Sequence, residues 1–188
     1  SELAEILEAS VDEVRSSFVR LIQSRVRLPQ AYVTVVGETS SGKSSIINAL
    51  LTEELLPVSG KPTTGIVTHV ACGLEREPQF FAIYHDATQA AIERAQFCRL
   101  SVEPDDEILR LQLRAMPKTR AHIGLHVFDT PGSNAVLHKH EELLMSFLPQ
   151  SDVIVFVVGY RTGFGQADQD LFESISDATA HRPEQHTA

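Results

Sequence analysis

Hydrophobic positions along the chain change period several times, and each change predicts an element. Over residues 2–28, Leu7, Val11, Val14, Phe18, Leu21 and Leu28 recur in alternating four- and three-residue steps, interrupted at Arg25. Glu5, Glu8, Asp12, Glu13, Arg15 and Arg20 take other faces, so the pattern predicts one long amphipathic helix. Its apolar stripe must be buried, either on its own domain or in a bundle with helices from elsewhere in a longer chain. Pro29 ends it. The period then shortens. Ala31–Val36 reads as a strand, and Ser45–Leu51 as a short apolar helix.

Further on, Ile66–Leu74 and Gln79–Tyr84 read as two strands joined by the polar turn Glu75–Pro78, an antiparallel edge hairpin. Asp86 is placed as the cap of a helix over about 87–100, with Ala90, Ala91, Ala95 and Phe97 at helical spacing. Pro104–Met116 is read the same way, with Ile108, Leu109, Leu111 and Leu113 as its apolar positions. His122–Phe128 is a strand. Ser133–Gln150 is expected to be a mobile segment followed by a helix, and its His138-Lys139-His140 cluster a solvated face. Asp152–Val158 is a continuous apolar run, as expected of a central parallel strand buried on both faces. A glycine-rich loop, Gly159–Gln166, follows it on the side where α/β sheets place ligands, and a helix starts at Asp168. The polar His181–His186 stretch ends that helix.

The chemistry lies between the first strand and the first short helix. Gly37-Glu38-Thr39-Ser40-Ser41-Gly42-Lys43-Ser44 has the GxxxxGK[ST] spacing in a strand-loop-helix context, which is a phosphate-binding loop. Gly37 and Gly42 allow backbone that a Cβ would crowd, so that successive N–H groups can surround a β-phosphate at the positive end of the helix. Lys43 is expected to bridge the β- and γ-phosphates, and the Ser44 hydroxyl to ligate Mg²⁺. The turn-rich stretch Glu53–Gly65 stands at a suitable distance to fold over a γ-phosphate and offer a threonine to the metal. Thr64 is the first choice, with Thr63 and Thr68 as alternatives. Asp129-Thr130-Pro131-Gly132 follows a hydrophobic strand as DxxG: Asp129 would hold Mg²⁺ through water, and the Gly132 N–H would sense the γ-phosphate. The His122-x-Gly124-x-His126 pattern lacks an accompanying carboxylate or cysteine and is not read as a metal site.

Composition narrows the class. With 188 residues, 43% hydrophobic and 22% charged, the chain can bury a substantial core. A formal net charge of −9 argues against a nucleic-acid surface. Cys72 and Cys98 lie far apart without CxxC spacing, which fits a reducing cytosol rather than a disulfide framework or zinc. No run reaches ~18 apolar residues and no charged-then-apolar leader is present, so a cytoplasmic protein is expected.

Several residues together carry a family resemblance: Gly37–Ser45, the Ile46-Ile47-Asn48-Ala49-Leu50 helix, Leu56-Pro57, Pro62-Thr63-Thr64 and Asp129–Gly132. Over about residues 30–180 the chain resembles the dynamin superfamily, most closely bacterial dynamin-like proteins. The resemblance implies an α/β P-loop NTPase fold, a mostly parallel sheet flanked by helices, behind a neck-type helix over 1–29. It implies a GTPase that takes GTP, GDP and Mg²⁺, forms a homodimer across its nucleotide face, and meets the inner face of a membrane peripherally through regions outside this chain. Nucleotide contacts would run from Gly37 to Ser45 and include Gly132. Catalytic roles would fall to Ser40, Lys43, Thr64 and Gly132, and metal ligation to Ser44, Thr64 and Asp129. Ser133 stands where small Ras-like GTPases place a water-orienting glutamine directly after DxxG. The resemblance gives that task to Ser40 and Thr64 in the dimer. No Asn/Thr-Lys-x-Asp motif for guanine occurs in the sequence, which places base recognition beyond these residues. A nucleotide-gated interaction switch with little hydrolysis, and a P-loop ATPase, are the alternatives.

Overall fold

The computed structural model describes residues 30–58, 65–132, 148 and 151–180. Its centre is a seven-stranded sheet: β1 Ala31–Gly37, β2 Thr68–Cys72, β3 Gln79–Tyr84, β4 Gln89–Ile92, β5 Ile108–Ala115, β6 Leu125–Asp129 and β7 Val153–Val157. Among the described residues three α-helices accompany it: α1 Lys43–Leu50, α2 Arg94–Val102 and α3 Gln166–Ala180. The strand order is β4-β3-β5-β2-β6-β1-β7. β1 pairs in parallel with β6 on one side and β7 on the other, and β2 with β5; the β2–β6, β3–β5 and β3–β4 pairs are antiparallel. The fold is thus α/β, with the parallel strands grouped around β1.

Valine-rich β1 alternates its side chains between two cores. Val33 and Val35 join the larger one, with Ile47 and Leu51 from α1 and its end, Phe97 and Leu100 from α2, and Val70, Leu111, Leu113 and Val127 from the sheet. Val36 joins the other, with Leu148, Ile154, Phe156 and the α3 residues Leu171 and Ile175. α1 and α3 therefore cover opposite faces of β1, which positions the loops at the carboxyl ends of β1, β6 and β7 side by side. Asn48 adds a polar anchor. Its Oδ1 accepts from the Leu55 and Leu56 N–H groups at 3.1 and 2.9 Å, and its Nδ2 donates to Leu56 O at 2.9 Å.

Five expectations need correction. Ile66–Leu74 and Gln79–Tyr84 do not form a hairpin, because β5 lies between β2 and β3. The expected helix over 104–116 is β5. Leu109, Leu111 and Leu113 recur every second residue against Arg110, Gln112 and Arg114, and a period of two is a strand period. The expected helix over 87–100 starts only at Arg94, after β4. Asp86 caps a hairpin turn instead: its Oδ1 accepts from Thr88 N at 2.9 Å, and Ala87 sits at φ 66°. Finally, β7 occupies the sheet edge among the described residues rather than its centre, and Val153 is 51% exposed. β6 begins at Leu125, so His122 lies in a 3₁₀ turn over Arg120–His122. The helix expected over 2–28, Thr63 and Thr64, the segment around His138–His140 and the terminal 181–186 lie outside the described residues.

Candidate nucleotide site

Local chain chemistry builds the first loop. β1 ends at Gly37 with φ 146°, where a Cβ would overlap the Val157 carbonyl of β7. Ser40 adopts φ 62°, and Gly42, at φ 105°, precedes the first residue of α1. No side chain caps α1, so its first N–H groups are held for something other than a neighbouring residue of the cap type. Lys43 is 5% exposed and curls back, donating from Nζ to Gly37 O at 3.0 Å and Glu38 O at 2.8 Å. Burial lowers its pKa, and the charges of Asp129, Asp168 and Glu38 oppose that shift.

The second loop arrives on β6. The parallel register sets Asp129 opposite Val35, and Thr130 locks the exit from β6 by donating from Oγ1 to Val35 O at 2.8 Å. Ser44 Oγ donates to Asp129 Oδ2 at 2.6 Å, which joins the two motifs across 85 residues of sequence. Gly132 comes so close to the first loop that a Cβ there would overlap Thr39 N, Cα and Oγ1. Asp129 is 2% exposed, and burial pushes its pKa up to about 6, against the Ser44 hydrogen bond and the Lys43 charge.

Three buried polar atoms of the two motifs have no hydrogen-bond partner, Thr39 Oγ1, Ser41 Oγ and Asp129 Oδ1, and neither does Asp168 Oδ1 behind the loop after β7. Buried polar groups are normally satisfied, so such a concentration marks a place built for a ligand. The donor set is all oxygen, a hydroxyl beside a carboxylate, which suits a hard cation such as Mg²⁺ bound by one or two protein ligands and phosphate oxygens.

The structure thus brings Gly37, Glu38, Thr39, Ser40, Ser41, Gly42, Lys43, Ser44, Asp129 and Gly132 together, with Ser45 following in α1. Thr64, the expected metal ligand, is outside the described residues. Thr68, an alternative to it, is a buried strand residue paired directly with Asp129 on β2. His126 meets neither His122 nor a metal cluster. Instead its Nδ1 shares a 2.9 Å hydrogen bond with His69 Nε2, inside a stack of Tyr32, His126, His69 and Phe128 rings. Sequence reasoning passed over Asp168 and Thr130. Asp168 lies three residues after Gly165 of the glycine-rich loop, Gly-x-x-Asp, a spacing that would have flagged a carboxylate turned back to the loop.

The family model for the dynamin family matches residues 33–183. The chain belongs to the dynamin family. It is 30% identical over 155 residues to the "Probable transmembrane GTPase FZO-like, chloroplastic" of Arabidopsis thaliana, covering 82% of this chain and 14% of that protein. It is 25% identical over 174 residues to "Dynamin-like protein A" of Bacillus subtilis, covering 89% and 14%. The "Bacterial dynamin-like protein" of Nostoc punctiforme is 26% identical over 167 residues, covering 81% and 23%. Among solved structures, a chain of "an oligomerised bacterial dynamin pair" superposes with a TM-score of 0.62 at 18% identity, covering 86% of this chain and 32% of that one. The dynamin-family chain therefore spans about a seventh to a quarter of these curated relatives. Family membership makes it part of a dynamin-family GTPase domain, with the corresponding α/β fold. No helix among the described residues is long and apolar enough to cross a membrane.

Proposed function

We propose that this domain binds GTP with Mg²⁺ at Gly37–Ser45 and Asp129–Gly132 and hydrolyses it to GDP and phosphate. The observation that carries the reading is the 2.6 Å Ser44–Asp129 hydrogen bond, which sets the hydroxyl and the carboxylate of the two motifs at one point beside the buried Lys43. Phosphoryl transfer asks for positioning and charge neutralisation more than covalent help. Lys43 would turn from its loop carbonyls to the β- and γ-phosphate oxygens, and the loop backbone would hold the β-phosphate. Ser44, Asp129 and, by resemblance, Thr64 would hold Mg²⁺, which when bound screens the phosphate charge. The Gly132 N–H would face the γ-phosphate, while Ser40 and Thr64 would orient the attacking water once two domains meet across the nucleotide.

In the whole protein, this cycle would drive membrane remodelling or tethering, with residues 1–29 as a neck-type helix and 30–188 as part of the GTPase domain. The Arabidopsis relative, named a probable transmembrane GTPase, supports that role. The test is hydrolysis by the intact protein at low and high concentration, with GTP and ATP, with and without Mg²⁺. The expected result is Mg²⁺-dependent GTP turnover per molecule that rises with protein concentration and is lost in Lys43→Ala. Turnover untouched by Lys43→Ala, or a preference for ATP, would refute the proposal.

A further inference from the structure

The loop after β7 rests on the phosphate-binding loop, and a buried carboxylate there has no part in the scheme above. A Cβ on Gly159 would lie 3.7 Å from Ser41 Cα, and one on Gly165 3.9 Å from Glu38 Oε1, so both ends of 159–165 stand against residues 38–41. Gly165 donates its N–H to Asp168 Oδ2 at 3.1 Å, closing the first turn of α3. That cap occupies one oxygen. Asp168 is 1% exposed, and its Oδ1 is buried without a partner. A serine would cap the turn without burying a second, unsatisfied oxygen and a full charge, so capping alone does not account for this carboxylate. It belongs instead to the electrostatics of the nearby loop: Asp168 acts on Lys43 together with Asp129 and Glu38. Of these three carboxylates, Asp129 is the one with a partner in the metal motif.

We propose that Asp168 is a positioning residue that sets how tightly the site holds nucleotide. Its charge, fixed beside the phosphate-binding loop by the α3 cap, attracts Lys43 and repels a polyphosphate. The bound state is thereby weakened and product release hastened. Removing the charge while keeping the cap should therefore tighten binding, the reverse of what loss of a ligand-contacting residue does.

This inference rests on the nucleotide reading of the site, and the experiment separates the two. Fluorescent GDP and GTP analogues with Mg²⁺ are titrated into the intact protein as wild type, Asp168→Asn, Asp168→Ser and Lys43→Ala, at low and high salt, and release is followed by stopped flow. Asparagine and serine each keep an acceptor for the Gly165 N–H, so one remains informative if the other folds poorly. The expected result is about tenfold tighter binding and slower release in the neutral variants, the size of effect that one unit charge roughly 12 Å away has at an effective dielectric of about 20. The gain should shrink at high salt, which a purely structural role would not produce. Wild-type binding that depends on Lys43, with neutral Asp168 variants binding equally or more weakly, would overturn this proposal alone. Wild type that binds no nucleotide, or binds equally well as Lys43→Ala, would overturn both.

Discussion

Replacing Asp129 by asparagine should stabilise the nucleotide-free protein, by an amount that grows with pH. Asp129 is 2% exposed, and burial raises its pKa from the ordinary 3.8 to about 6. A carboxyl whose folded pKa lies above its unfolded value keeps its proton longer in the native state. Below pH 4 both states are protonated and nothing is lost. Between about 4 and 6 the unfolded chain releases the proton first, so stability falls as pH rises, and above 6 the full cost remains. A tenfold change in proton affinity is worth about 1.4 kcal/mol, so the rise from 3.8 to about 6 corresponds to about 3 kcal/mol at neutral pH. Asparagine removes that cost and still offers an oxygen to the Ser44 hydroxyl. Urea unfolding of wild type and Asp129→Asn, at steps from pH 4 to 8, reads the difference directly; groups that do not interact with Asp129 cancel in the comparison, while Lys43, which loses a supporting charge, trims the gap. The gap should open from near zero to about 3 kcal/mol across that window. A gap that stays flat, or a variant less stable at pH 7.5, would refute the claim that an ionised Asp129 is held there at a cost. On the proposed reading, GTP with Mg²⁺ should reverse the order of the two proteins, because the carboxylate would hold the metal better than the amide.

Three further outcomes follow from packing and protonation. Asn48→Ala strips the Leu55 and Leu56 N–H groups and the Leu56 carbonyl of their partner, and should cost about 3 kcal/mol by chemical denaturation; a loss under about 1 kcal/mol would contradict a buried clamp. Gly132→Ala forces a Cβ into the Thr39 backbone, so nucleotide affinity should fall at least about tenfold while circular dichroism is preserved. His69, whose pKa burial lowers to about 3 with help from the charges of His126, Arg110 and Arg114, stays neutral while the unfolded chain takes up a proton near 6.5. Its contribution is present above pH 6.5 and lost progressively toward pH 3. His69→Phe should therefore flatten the acid side of a melting-temperature profile, and an unchanged slope would count against the stacked-ring account.

What could be read from the sequence divides by range of interaction. The phosphate-binding loop and DxxG were legible because glycines, a lysine and short polar side chains fix their backbone locally, and the strands before them declare themselves, the first by a β-branched run and the second by an apolar one. Residues 87–116 were misread because the alanines of β4 fit a helix period as easily as a strand period. The alternation of β5, plain once Leu109, Leu111 and Leu113 are set against Arg110, Gln112 and Arg114, was masked by the adjacent Ile108. The insertion of β5 between β2 and β3 is a choice among distant partners, which no short stretch encodes. Asp168 needed the third dimension too, since its meaning comes from Lys43, 125 positions earlier in the chain.

The approach of Gly132 to Thr39 has a mechanical side. The Gly132 main chain lies against the Thr39 backbone and its Oγ1, and residue 132 puts no side chain of its own between them to rotate, compress or slip. A joint of that kind has almost no backlash: a shift of a few tenths of an ångström in the first loop reappears in the second at nearly full amplitude, where a bulky residue would have absorbed it by changing rotamer. Gly132 is thus a pivot that follows the shape of the loop around Thr39, and any residue larger than glycine there would blunt that response.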